Sequence, residues 1–145
     1  MKCALLLFTT MFSIGPLLYP QTAPTAAQLA QGDVQRYAMV LGLSSTQQEQ
    51  ALTIFTTEET AEASIRTAER TAEASLLTAI EGGDTAAIAT LSATLGGLHG
   101  QDVQARATAS AELYAILTTE QQAKYVQILE HGGGMEGNPG GPGRR

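Results

Sequence analysis

Large apolar residues recur every eleven positions through the first half of this chain, at Leu43, Ile54, Ile65 and Leu76. The stretches around them repeat too: LTIFTTEETAE at 52–62, ASIRTAERTAE at 63–73, and ASLLTAIE from 74. Eleven residues in three turns is about 3.67 per turn, close to a relaxed α-helix. The repeat therefore keeps its large side chains on one stripe and predicts a nearly straight or faintly right-handed helix over 45–81. At roughly 1.5 Å per residue that helix is about 55 Å long, which points to an elongated packing. Ala61, Ala68 and Ala72 fall between the large positions, where small side chains let a second backbone approach.

Glu81-Gly82-Gly83-Asp84 stops this helix and starts another. Either glycine can take the left-handed cap, and Asp84 can cap the helix that follows. So short a connection predicts an antiparallel helical hairpin. On the return arm, 85–117, Ile88, Leu91, Leu95 and Leu98 form a seam at spacings of three and four. The seam weakens through Val103 and Ala109 and resumes at Leu113, Ile116 and Leu117. Gly96, Gly97 and Gly100 interrupt it, each costing about 1 kcal/mol relative to alanine inside a helix. A continuous but bent helix is expected there, with Asp102 as the new N-cap if the helix breaks instead.

Two shorter helices flank the hairpin. One covers 33–41, with Asp33 as its cap, Tyr37, Val40 and Leu41 on its apolar side, and Gly42 at its end. The other covers 119–131, with Tyr125, Ile128 and Leu129 facing inward. Residues 19–32 read as a flexible lead-in, and 132–145 as a disordered Gly/Pro-rich tail. No strand-like alternation appears, and no proline lies between Pro24 and Pro139. The fold class is all-α: about four helices, a long antiparallel hairpin between two shorter ones.

A short phrase opens both the outgoing arm and the last helix. Residues 43–48 read LSSTQQ and residues 117–122 read LTTEQQ. Ser44 and Thr118 suit N-caps, because a hydroxyl accepts from the otherwise unpaired N–H groups of the first turn. Gln47 and Gln121 stand three residues on, where an amide reaches back to the cap N–H and completes a capping box. Leu43 and Leu117 hold the position that staples to the fourth helical residue. That residue is Gln48 or Gln122, so each leucine must pack elsewhere.

The paired phrase and the helix layout resemble the periplasmic Spy/CpxP family, which carries two Leu-Thr-x-x-Gln motifs. The second copy, Leu117–Thr118–Gln121, fits fully; the first, Leu43–Ser44–Gln47, has serine in place of threonine. The resemblance spans roughly 30–131. It implies an antiparallel homodimer shaped like a shallow cradle, and an ATP-independent chaperone that holds partly unfolded proteins. The six motif residues are then helix-capping and structural. By side-chain type, Met39, Phe55, Arg66, Arg70 and Arg106 are candidates for a client surface, although none lies in the motif.

Composition sets the remaining bounds. Lys2 followed by the apolar run 3–18 resembles a secretory signal peptide, with small residues at Ala23, Ala26 and Ala27 near a cleavage site. Gly15-Pro16 interrupts the run, which is short for a membrane span. The expected layout is a signal peptide at 1–27, a helical domain at 28–131 and the tail, in a periplasmic protein. Cleavage near Ala27 removes Cys3, the one cysteine, and moves the formal charge from −6 to −7 by removing Lys2. So acidic a chain argues against nucleic acid and anionic lipid as partners.

No catalytic constellation, nucleotide loop or cofactor motif stands out, so neither an enzyme nor a cofactor is expected. His99 and His131 are the two histidines. His131 at a helix end is favoured by the macrodipole, and with Met135 and Glu136 makes only a weak metal set. The glutamates along 58–73 read as a solvated face, with Glu62 and Arg66, and Glu69 and Glu73 around Arg70, at helical neighbour spacings. The second functional reading is an envelope regulatory module that binds a sensor protein or a metal ion. A helical spacer is a third.

Overall fold

The computed structural model describes residues 23–131. It contains α1 (Ala26–Leu41), α2 (Ser45–Glu81), α3 (Thr85–Ile116) and α4 (Thr119–Glu130), with no strand among the described residues. Helices α2 and α3 pack along each other as the predicted hairpin, and α1 packs on α2 and touches α4. The hairpin turn follows local chemistry. Gly83 takes φ 67°, a left-handed conformation that glycine adopts without strain. Asp84 Oδ1 then accepts from the N–H groups of Ala86 and Ala87 at 3.1 and 3.0 Å, capping α3.

The first helix starts earlier than its sequence pattern implied. Residues 26–32, expected as lead-in, are helical, and the cap is Thr25 rather than Asp33. Thr25 and Gln28 form a capping box of the same kind as the two motif sites. Asp33 lies inside the helix and accepts from Arg36 Nη2 at 2.9 Å. The reason is a buried stripe, Ala30, Val34, Tyr37 and Leu41, that continues the helical period across Gly32. Gly42 ends α1 with φ 69°, as its position predicted.

Helix α3 runs unbroken through Gly96, Gly97 and Gly100, so Asp102 is not a cap but pairs with Arg106 one turn on. A Cβ added at any of the three glycines would meet nothing within 4 Å. Among the described residues, no backbone packs against them. The inner face of α3 also differs from the predicted seam. Val103 is 51% exposed, whereas Asp102, Ala105 and Arg106 are half-buried and Ala109 is buried.

The core sits at the base of the hairpin, where all four helices contribute. Tyr37, Leu41, Leu43, Phe55, Leu113, Leu117 and Tyr125 are its large members. Tyr37 stacks on Phe55 with centroids 5.5 Å apart, and meets Tyr125 edge-on at 5.6 Å. Such pairs add about 0.5–1.5 kcal/mol beyond area burial. Farther out the hairpin is thin. Ile65, Ala72 and Ala79 are buried on α2, but Ile88, Leu91, Leu95 and Leu98 only half-buried on α3. Of the eleven-residue stripe, Leu43 and Ile65 are buried and Ile54 and Leu76 half-buried. The many threonines of α2 are accommodated by back-bonding: Thr56, Thr60, Thr67 and Thr71 each donate to the carbonyl four residues earlier.

Candidate functional site: the motif clasp and the groove between the arms

Both Leu-(Ser/Thr)-x-x-Gln phrases form the capping boxes their sequences predict. Ser44 Oγ accepts from Gln47 N at 3.3 Å, and Gln47 Oε1 accepts from Ser44 N at 2.9 Å. Thr118 Oγ1 accepts from Gln121 N at 3.4 Å, and Gln121 Oε1 accepts from Thr118 N at 2.9 Å. Leu43 and Leu117 are both 6% exposed and lie in the core, where the incomplete staple required them to pack.

The fold adds a link between the motifs. Gln47 Nε2 donates to Gln121 Oε1 at 2.8 Å and to the Ile116 carbonyl at 2.9 Å. Gln121 Nε2 donates in turn to Gln47 Oε1 at 3.2 Å and to the Gly42 carbonyl at 3.1 Å. Each amide thus caps its own helix and holds the end of the helix before the other. Gln48 and Gln122 do the same locally, donating to the carbonyls of Leu43 and Tyr114.

One step up the hairpin, charge replaces the amides. Glu62 is 7% exposed and accepts from Arg66 Nη1 at 2.7 Å and, across the hairpin, from Arg106 Nε at 2.9 Å. Arg106 also reaches Asp102 at 3.2 Å, and Arg66 lies 3.5 Å from Glu59. The Gln47–Gln121 and Glu62–Arg106 pairs are both centred in the chain on Asp84, so they share one antiparallel register. This corrects the reading of 58–73 as a wholly solvated face. Glu62 faces the partner arm, and Glu58 is half-buried beside it. Burial, with Glu62, Asp33 and Glu59 nearby, pushes the Glu58 carboxyl up to about 7, against a weaker opposing pull from Arg106. Burial likewise raises Glu59 and Asp33 above the usual carboxylate range.

A groove of about 330 Å³ runs between the arms beside this network. Ile54, Ala61 and Ile65 of α2 and Ala105 and Ala109 of α3 give it apolar walls, and Glu58 and Glu112 line it with carboxylates. No residue of α1 or α4 lines it.

The residues proposed for a client surface divide. Met39 is 81% exposed and Arg70 is exposed. Arg66 and Arg106 are partly covered and bound to the acidic network. Phe55 is buried against Tyr37, so its ring is absent from the surface of the folded chain. The outer surface carries apolar side chains that sequence reasoning passed over: Leu77 and Ile80 near the tip, Val126 on α4, and Tyr114 on α3. Leu77 and Ile80 lie off the eleven-residue stripe, which was the available signal.

His99 is exposed on α3. His131 follows α4, its Nδ1 2.7 Å from the Gln127 carbonyl, so that nitrogen carries the proton. Met135 and Glu136 lie outside the described residues. Among the described residues no three His, Cys, Asp or Glu side chains gather as a metal site, and no helix is long and apolar enough to cross a membrane.

No curated protein and no solved structure matches the chain. The LTXXQ motif family does match, over residues 29–129, a span that takes in both capping boxes, the glutamine clasp and most of all four helices. The chain belongs to that family, the Spy/CpxP-like proteins.

Proposed function

We propose that this protein is an ATP-independent chaperone of the bacterial periplasm, which holds partly unfolded proteins and limits their aggregation. Family membership supports the reading. The observation that carries it is the apolar side chains on the surface of an acidic chain: Met39 and Val40 of α1 and Leu77 and Ile80 of α2 stand more than half exposed. In this reading these side chains bind exposed hydrophobic segments weakly, without demanding one sequence. In this reading residues 3–18 direct export. Retention of the Thr25 capping box requires cleavage ahead of that residue. Two copies associate as an antiparallel cradle, which brings the Leu77–Ile80 tip of one toward the Met39–Val40 base of the other.

The test follows light scattering as a chemically denatured, unrelated protein is diluted into buffer with the chain beginning ahead of Thr25, without ATP. Suppression at near-stoichiometric amounts is expected. A folded, helical chain that leaves aggregation unchanged overturns the reading and favours a dedicated envelope partner. Sedimentation at tens of micromolar checks the dimer, and a monomer alone would exclude it.

A further inference from the structure

We propose that the groove between α2 and α3 seats a basic, amphipathic stretch of polypeptide, its apolar side chains against Ile54 and Ile65 and a lysine or arginine head between Glu58 and Glu112. The proposal rests on the chaperone reading for its ligand being polypeptide, and names the chemical class that this face selects.

The shape argues for side chains as guests. Three of the five apolar wall residues are alanines, which keep the groove open between the two isoleucines. Its volume is at the lower end of ligand-sized cavities, enough for a few side chains and too little for a folded element.

The charge argues for a cation. Five carboxylates gather around the network: Asp33 of α1, Glu58, Glu59 and Glu62 of α2, and Asp102 of α3. Three guanidinium groups answer them. Arg36 pairs with Asp33, Arg66 with Glu59 and Glu62, and Arg106 with Glu62 and Asp102. Glu58 takes no ion pair from any described side chain, yet it is half-buried and faces Glu62, Asp33 and Glu59. Arg106, which pulls on it more weakly than burial and the neighbouring carboxylates push, is already held by two other carboxylates. Tyr125 of α4 also faces it and brings no positive charge. Above about pH 7, where Glu58 is ionised, an ammonium or guanidinium entering here therefore meets uncompensated negative charge in a partly desolvated place, where charge pairs are stronger than in open water. Glu112, exposed on the opposite arm, gives a second contact for a long cationic side chain. Acidic segments are repelled by the same groups.

The test titrates the chain, beginning ahead of Thr25, into three dye-labelled peptides at low salt and about pH 8, where the Glu58 carboxyl is ionised. One alternates leucine with lysine; in the others glutamine or glutamate replaces lysine. The lysine peptide should bind about tenfold more tightly than the glutamine peptide. In the double variant Glu58→Gln/Glu112→Gln, checked for helicity, that preference should vanish while the glutamine peptide binds as before. Ala105→Leu, which fills the groove, should weaken both. Equal binding of lysine and glutamine peptides, or a lysine preference that survives the double variant, overturns the proposal. Aggregation assays run in parallel separate the two readings. Suppression without lysine preference leaves the chaperone and removes this groove. Lysine preference without suppression removes the chaperone and leaves a peptide site.

Discussion

Gln47 and Gln121 hold each other. Each side-chain amide donates to the other's oxygen, at 2.8 and 3.2 Å, while that same oxygen caps the helix its own residue opens. Two sites that look like ordinary helix starts in sequence thus become one structure at the base of the hairpin. Replacing either glutamine by alanine removes a cap contact and strands a partner amide. A loss of about 1–2 kcal/mol is expected for each, and clearly less than the sum for both together. Denaturant midpoints of the two single variants and the double variant measure this; strict additivity would show that the cross-link contributes nothing.

The three hydroxyl caps should act locally. Thr25→Ala, Ser44→Ala and Thr118→Ala each remove an oxygen that accepts from the third residue of a helix. About 1 kcal/mol each is expected. Thr25→Ala should fray only the start of α1, seen as faster amide exchange there. Unchanged thermal melting of Ser44→Ala and Thr118→Ala would contradict the capping roles.

Phe55 belongs to the core, so Phe55→Ala should behave as a core truncation. A loss of about 3–5 kcal/mol is expected from the missing contacts with Tyr37 and the cavity left behind. Met39→Ser, on the exposed side of α1, should leave the melting temperature nearly unchanged and weaken client protection if α1 contributes to holding.

Glu58 makes stability depend on pH in a defined direction. Its folded-state carboxyl is raised to about 7 from 4.5, so the fold prefers the protonated form. This contribution is full below the unfolded value and is lost as pH rises through the folded one. Glu58→Gln, which stays neutral, should therefore be more stable than the parent at about pH 8 and close to it at about pH 5. Urea midpoints at the two pH values decide; a gap that widens toward acid would reverse the assignment.

The α3 glycines face open space among the described residues. Gly96→Ala, Gly97→Ala and Gly100→Ala should each gain about 0.5–1 kcal/mol, because alanine restricts the unfolded chain and its Cβ meets nothing within 4 Å. A loss instead would mean that a second molecule packs against this face.

Local chemistry made much of the fold legible in the sequence. The bounds of α2, the glycine turn, the Asp84 cap and both motif caps depend on residues within four positions of each other, and all appear where the pattern put them. The start of α1 was equally local, since Thr25-x-x-Gln28 is a capping signature. It was obscured by Gly32-Asp33, which imitates a helix boundary, and by an alanine-rich turn without large apolar residues. What only the tertiary structure decided is which face of each helix is covered. Glu62 looks like a solvated glutamate until the hairpin register sets it opposite Arg106. Phe55 is free to be surface or core until α1 lays Tyr37 over it. Val103 fits a seam by spacing, yet the register turns Asp102 and Arg106 inward and leaves it exposed. Caps and turns are settled by neighbours in the chain, whereas burial is settled by whichever element arrives, and no short stretch of sequence contains both partners.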